Sequence, residues 1–208
     1  MAAIHQDIDI LKYEPTLFTA NTPYMAQCFG KGASGVLDGT SLTVSGVNFE
    51  TLGVHAGHVI YLSSLDGMIN GAYEIVDVVD ATALTVSVLR AEITDTPIPI
   101  GTGSGLIWRI ITFAPQTAEA AFALSQRLGL KPGCPDSQYG FEDLTDTSVL
   151  KQASVFTAIA TIYSGLYGSG TGTASDLKAT WDMYQAKQEH YASCAEAAIQ
   201  RCRLSLED

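Results

Sequence analysis

The sequence predicts an α+β fold: a three-helix base carrying an inserted small antiparallel β-sheet or β-barrel module. Three observations lead there. Apolar residues alternate with a period near two between Val36 and Phe113, the period turns helical from Pro115 onward, and Gly-rich stretches punctuate both parts. At 208 residues, 47% hydrophobic and 16% charged, the chain is long and apolar enough to bury a core, which excludes a disordered chain and a long solvated coiled coil. The expected division is a helical part over residues 1–35 and 114–208, with the β module over 36–113.

The elements follow in order. Ile8, Leu11, Leu17 and Phe18 around Pro15 predict a short helical or irregular lead that docks on something else, and GKGASG then reads as a Gly-rich connector. LDGTSLTVSG, HAGHVIYLSS, GAYEIVDVVD and ATALTVSVLR give four strands, with Asp38-Gly39 and Asp66-Gly67 as hairpin signals and VHAGHVIYL as the most apolar strand. GTGSG at 101–105 reads as an exposed loop. Pro115 suits a first helical turn, and the apolar series from Ala118 to Leu128 before Gly129 predicts a helix over 115–128. A second helix is expected over 148–167, capped by Asp146 or Thr147. Val149, Leu150, Ala153, Phe156, Ile159, Ile162, Tyr163 and Leu166 cover most of its circumference, the pattern of a buried helix. The third, from Asp176 with Ser175 as N-cap, is long and amphipathic. Its aromatic side is expected to pack on the second helix, with Phe156, Ile159, Tyr163, Trp181 and Tyr184 in the seam.

Charge and motif narrow the chemistry. Eleven Lys plus Arg against twenty-two Asp plus Glu give a formal net charge of -11, which argues against a groove that neutralises nucleic-acid phosphates. Apolar runs are interrupted well before eighteen residues, and Met1 to Lys12 carries acids where an export signal needs a basic start, so no membrane span and no signal segment are expected. Cys28, Cys134, Cys194 and Cys202 lack metal-site spacing and read as small hydrophobes in a reducing compartment. His55 and His58, three apart at a strand start, do not share a face and read as turn or packing residues. His190 with Glu189 and Cys194 lacks a nucleophile motif, the Gly-rich stretches lack dinucleotide or P-loop context, and Asp38, Asp66, Asp77 and Asp80 lack the ligand order of a calcium loop. The reading is therefore no enzyme, no cofactor and no metal.

Three stretches carry a resemblance. They are the lead EPTLF followed by LDGTSLTVSGVNFETLGVHAGHVIYL, the junction WRIITFAPQTAEAAFALSQRLGL, and the close VLKQASVFTAIATIYSGLYGSG with DLKATWDMYQAKQEHYASCAEAAIQRCRLSL. In order and texture they resemble the head-to-tail connector or adaptor proteins of tailed bacteriophages and gene transfer particles. The resemblance implies a helical adaptor bundle in a homo-oligomeric ring, twelvefold, docked beneath the portal protein in the neck of the virion after synthesis in the host cytoplasm. Genomic DNA would pass through the lumen without sequence-specific binding, and a stopper or tail-completion protein would receive the ring. It further implies a portal contact from the end of the last helix, through Tyr191, Arg201, Arg203, Leu204, Leu206 and Asp208. The β segment is large for such an adaptor, which leaves a contact with major capsid or decoration proteins open. Competing readings are another neck or tail subunit, such as a stopper or tail terminator, and a β-type carbohydrate-binding module.

Overall fold

A computed structural model describes residues 4–19, 27–143, 148–168 and 176–206. The chain divides into two compact units, Asp7–Phe113 and Met1–Gln6 with Ala114–Asp208. The division at Asp7, against an expected helical part that ran to residue 35, reflects where the apolar side chains of the lead are buried.

The first unit opens with α1 (Asp7–Tyr13) and a 3-10 turn at Pro15–Phe18. Strands β1 (Gln27–Gly39), β2 (Ser41–Val44), β3 (Val59–Ser63), β4 (Asn70–Asp80), β5 (Ala83–Ser87) and β6 (Gly101–Thr112) follow. They close into an antiparallel barrel in the order β1-β2-β5-β4-β3-β6. The interior is apolar because inward positions alternate with outward ones: Leu42 and Val44 are buried on β2 while Ser41 and Thr43 are exposed. Leu37, Phe49, Ile60, Leu62, Ile75, Leu84, Leu106, Trp108 and Ile110 complete the core. Both Asp-Gly pairs turn hairpins as expected, with Gly39 and Gly67 at positive φ.

This architecture corrects the expected fold class. Instead of a three-helix base with a small β insert, the protein is α+β with four described α-helices and a closed six-stranded barrel. The difference comes from two Gly-rich segments that read as loops. GKGASG lies within β1 and GTGSG within β6, and the two strands pair along their length. The glycines have a steric reason: a Cβ at Gly32 would stand 2.8 Å from Trp108 Nε1, and one at Gly30 would stand 3.0 Å from the same indole, so β1 crosses Trp108 only with side chains removed. The lead packs in the same unit. Ile8, Ile10, Leu11, Leu17 and Phe18 are buried, Ile8 N donates to Gly57 O, and the Phe18 ring meets Phe113 edge-on at 5.3 Å.

The second unit holds α2 (Ala114–Leu128), α3 (Ser148–Gly168) and α4 (Asp176–Leu206). The expected bounds of α2 and α3 and the expected start of α4 each lie within a residue of the observed ones. Gly129 at positive φ stops α2. The expected caps Asp146, Thr147 and Ser175 lie outside the described residues. Leu124 of α2, Ala153 of α3, and Ala198 and Ile199 of α4 form one apolar cluster. No described helix is long and apolar enough to cross a membrane.

Candidate functional site

In the helical unit, α3 and α4 run antiparallel, because successive contacts descend one helix as they climb the other. Gln152 Oε1 accepts from Arg201, Phe156 meets Tyr191 at 5.9 Å, and Tyr163 meets Tyr191 at 6.3 Å and Tyr184 at 5.9 Å. Lys187 Nζ donates to the Tyr163 hydroxyl and stands 5.2 Å from its ring centroid. A cation over an aromatic face is attracted by the ring quadrupole. Phe156, Ile159 and Tyr163 are buried, and Tyr184 is half-buried. The side chain of Trp181 lies outside the described residues.

The residues proposed for the portal contact separate along α4. Tyr191 is buried in the aromatic seam with its ring parallel to that of Tyr163, whereas Arg201 is exposed. Arg203, Leu204 and Leu206 occupy the last turns of the helix with side chains outside the described residues, and Asp208 lies outside them altogether. Tyr191 therefore holds α4 on α3 and is not accessible to a partner without repacking.

Histidines that were expected on opposite faces of a strand come together instead. His55 and His58 precede β3 in a turn, where His55 N donates to His58 Nδ1 and the two rings lie 3.6 Å apart. The strand starts one residue after His58, so the period-two argument did not apply. Near them Asp7, on the first turn of α1, accepts from Phe113 N at 2.9 Å. Burial pushes the Asp7 carboxyl up to about 6, against the opposing pull of Thr112, Phe113 N–H and the charge of His55. Burial also holds His58 down to about 4, assisted by the charge of His55. Nothing in the local sequence pairs Asp7 with residues fifty and a hundred positions away, so the cluster was not legible before the fold.

The barrel unit holds a second buried polar group. Glu74 on β4 takes the guanidinium and the backbone N–H of Arg90, and Arg90 also donates to Asp95 O. With the bridge between Val88 and Ile98, this pair secures the long connection from β5 to β6. Asp38, Asp66, Asp77 and Asp80 spread over β1, the β3–β4 turn and β4; among the described residues no His, Cys, Asp and Glu group is arranged to hold a metal ion.

Comparison with family models, curated proteins and solved structures gives no match. What each unit offers chemically is read from its own described residues: packed aromatics in the helical unit, and in the barrel unit a buried ion pair, a histidine pair near a buried carboxyl group, and exposed apolar side chains.

Among the described residues, most of the exposed large apolar side chains belong to the barrel unit, with Tyr139 and Met183 in the helical one. Leu65 is 96% exposed and Met68 85%, both at the β3–β4 turn. The turn itself is fixed: Ser64 N donates to Ile69 O at 2.7 Å, Met68 N to Asp66 Oδ1 at 3.0 Å, and Ile69 N to Ser64 Oγ at 3.0 Å. A tip hydrogen-bonded in this way holds its apolar side chains out in water, and exposed apolar patches mark contact surfaces.

Proposed function

We propose that the chain is a structural virion protein, a head-to-tail adaptor that assembles as a ring beneath the portal, extends the DNA channel and receives the stopper or tail. The observation that carries this reading is α4: 31 residues without a break, about 46 Å of helix, ending in a stretch with two bases, Arg201 and Arg203, and two leucines, Leu204 and Leu206. With α4 held on α3 as far as Arg201, the few residues beyond would make the contact, Leu204 and Leu206 as apolar anchors and Arg201 and Arg203 beside them. The acidic balance supports passage of DNA without adhesion. Residues 1–114 carry eleven acids against four bases, and the remainder eleven against seven.

Deleting the residues after Cys202 tests the reading. The truncated protein is expected to keep its helical circular dichroism and melting cooperativity but to lose binding to portal rings, read by co-sedimentation and negative-stain imaging. Unchanged portal binding by that variant, or no binding by the full chain, overturns it. The closed barrel favours one alternative of the same class, another neck subunit such as a stopper, in which case the full chain binds an assembled neck and not the isolated portal.

A further inference from the structure

The described arginines are held in different ways. Arg90 and Arg127 each meet a carboxylate inside the fold, Glu74 and Glu196, and Arg109 donates to the Thr19 carbonyl. Arg201 is held by a neutral side chain: its Nη2 donates to Gln152 Oε1 at 3.1 Å, and Arg201 itself is exposed. The two meet because α3 and α4 run antiparallel, which sets Gln152, one turn into α3, beside the last turns of α4. The nearest acid along α4, Glu196, is already taken by Arg127. An amide orients a guanidinium without cancelling its charge, and the remaining N–H donors of the fork stay open.

We propose that Gln152 is a positioning residue of the portal contact, holding the Arg201 guanidinium out as a fixed fork for a carboxylate of the portal protein. This role rests on the adaptor reading above, and adds to it a residue on α3 and the chemistry of the group opposite. Fixing a long side chain before the partner arrives removes part of the ordering cost of binding, and a planar fork takes a carboxylate through two parallel bonds. Charge selects the same partner. On a chain of net charge -11, an oriented cation with its charge intact is where an acidic surface can settle. Duplex DNA fits less well. Affinity for its phosphates grows with the number of bases that meet them, and residues 115–208 carry eleven acids against seven bases.

The test is a double-mutant cycle on the full chain, read as affinity for purified portal rings, with circular dichroism and thermal melts to check the fold of each variant. Arg201→Ala is expected to weaken binding by at least about tenfold, the effect of removing one partner of a charge-assisted pair. Gln152→Ala is expected to weaken it by about threefold to tenfold through the lost orientation of the fork. The decisive step is the double variant. It should bind no more weakly than Arg201→Ala alone, because Gln152 acts only through the guanidinium, whereas a residue that merely shapes α3 would lower binding further. Gln152→Glu, which offers Arg201 a carboxylate within the chain, should also weaken binding. Arg201→Lys keeps the charge and loses the fork, and it replaces Arg201→Ala if the latter melts early. Wild-type affinity in any of the single variants, additive losses in the double variant, or a loss in Arg201→Ala of binding to duplex DNA and not to portal overturns this role and leaves the adaptor reading standing. A wild-type chain that binds no portal overturns the adaptor reading, and this role with it.

Discussion

The two units bury polarity differently. In the barrel unit Asp7, Asp9, Glu14, His58, Glu74 and Arg90 are all buried, whereas the described buried polar side chains of the helical unit are His5 and the hydroxyls of Thr117, Ser125 and Ser154. In the helices the backbone satisfies itself, and the α3–α4 seam is mostly apolar, with Ala153, Ala198 and Ile199 in one buried cluster and its polar links, Arg201 to Gln152 and Lys187 to Tyr163, made by side chains that are not buried charges. The barrel unit must also tie down long connections, and it does so with side-chain charge. Glu74 fixes the β5–β6 connection through Arg90, and Asp7 fixes α1 to the end of β6 through Phe113 N. Connections held by buried charge are sensitive to single substitutions and to pH in a way that an apolar seam is not.

The largest test of this contrast is Glu74→Ala. It leaves Arg90 buried without its counter-charge, and a cost of about 3–5 kcal/mol is expected in denaturant unfolding. A loss below about 1 kcal/mol would place the pair with ordinary surface contacts.

The next is the pH response of the Asp7–His58 cluster. Asp7 binds its proton more tightly folded than unfolded, so its neutral form stabilises the fold below the ordinary carboxylate value and this contribution is lost as pH rises through about 6. His58 binds its proton less tightly folded, so stability is lost as pH falls from the ordinary histidine value toward about 4. The two slopes oppose one another across pH 4–6, and the wild type is expected to show little net change there. Asp7→Asn should unmask a stability that falls with acidification, and His58→Gln one that rises by about 3 kcal/mol, the worth of a shift of about two units at Asp7. Urea midpoints measured at pH 4, 5, 6 and 7 decide it; parallel profiles for both variants would dismiss the cluster.

The smallest effect belongs to the helical unit. Arg127 and Glu196 form an ion pair between α2 and α4 with both side chains nearly half exposed. Arg127→Ala is expected to shift stability by less than about 1 kcal/mol, and less again in high salt, by thermal melt.

The helices were legible because their signals are local. The apolar series of α3, the Pro115 and Gly129 bounds of α2 and the Asp176 start of α4 need no knowledge of distant residues. Strands β2 to β5 were legible for the same reason, through period-two alternation. β1 and the first half of β6 were not. Their glycines mimic linkers, and the reason Gly30 and Gly32 are there is a tryptophan more than seventy residues later. Full closure could not be decided without them, and the module stayed an antiparallel sheet or a barrel until its longest strand pair was in place. The candidate sites follow the same rule. Phe156, Tyr163 and Tyr184 are spaced on helices, whereas the Asp7–His55–His58 cluster and the exposed tip require the barrel to exist before they can be seen.

Barrel closure also constrains how copies can meet. A strand with a free edge can pair with a neighbour at several offsets, two residues apart, that differ little in energy, and growing chains then accumulate stacking faults. With each of the six strands paired to a neighbour on both sides over part of its length, no whole strand stands at an edge of this sheet. A partner that meets this barrel by its strands has only short stretches of free backbone to pair with, and side-chain contour has to supply the rest of its recognition.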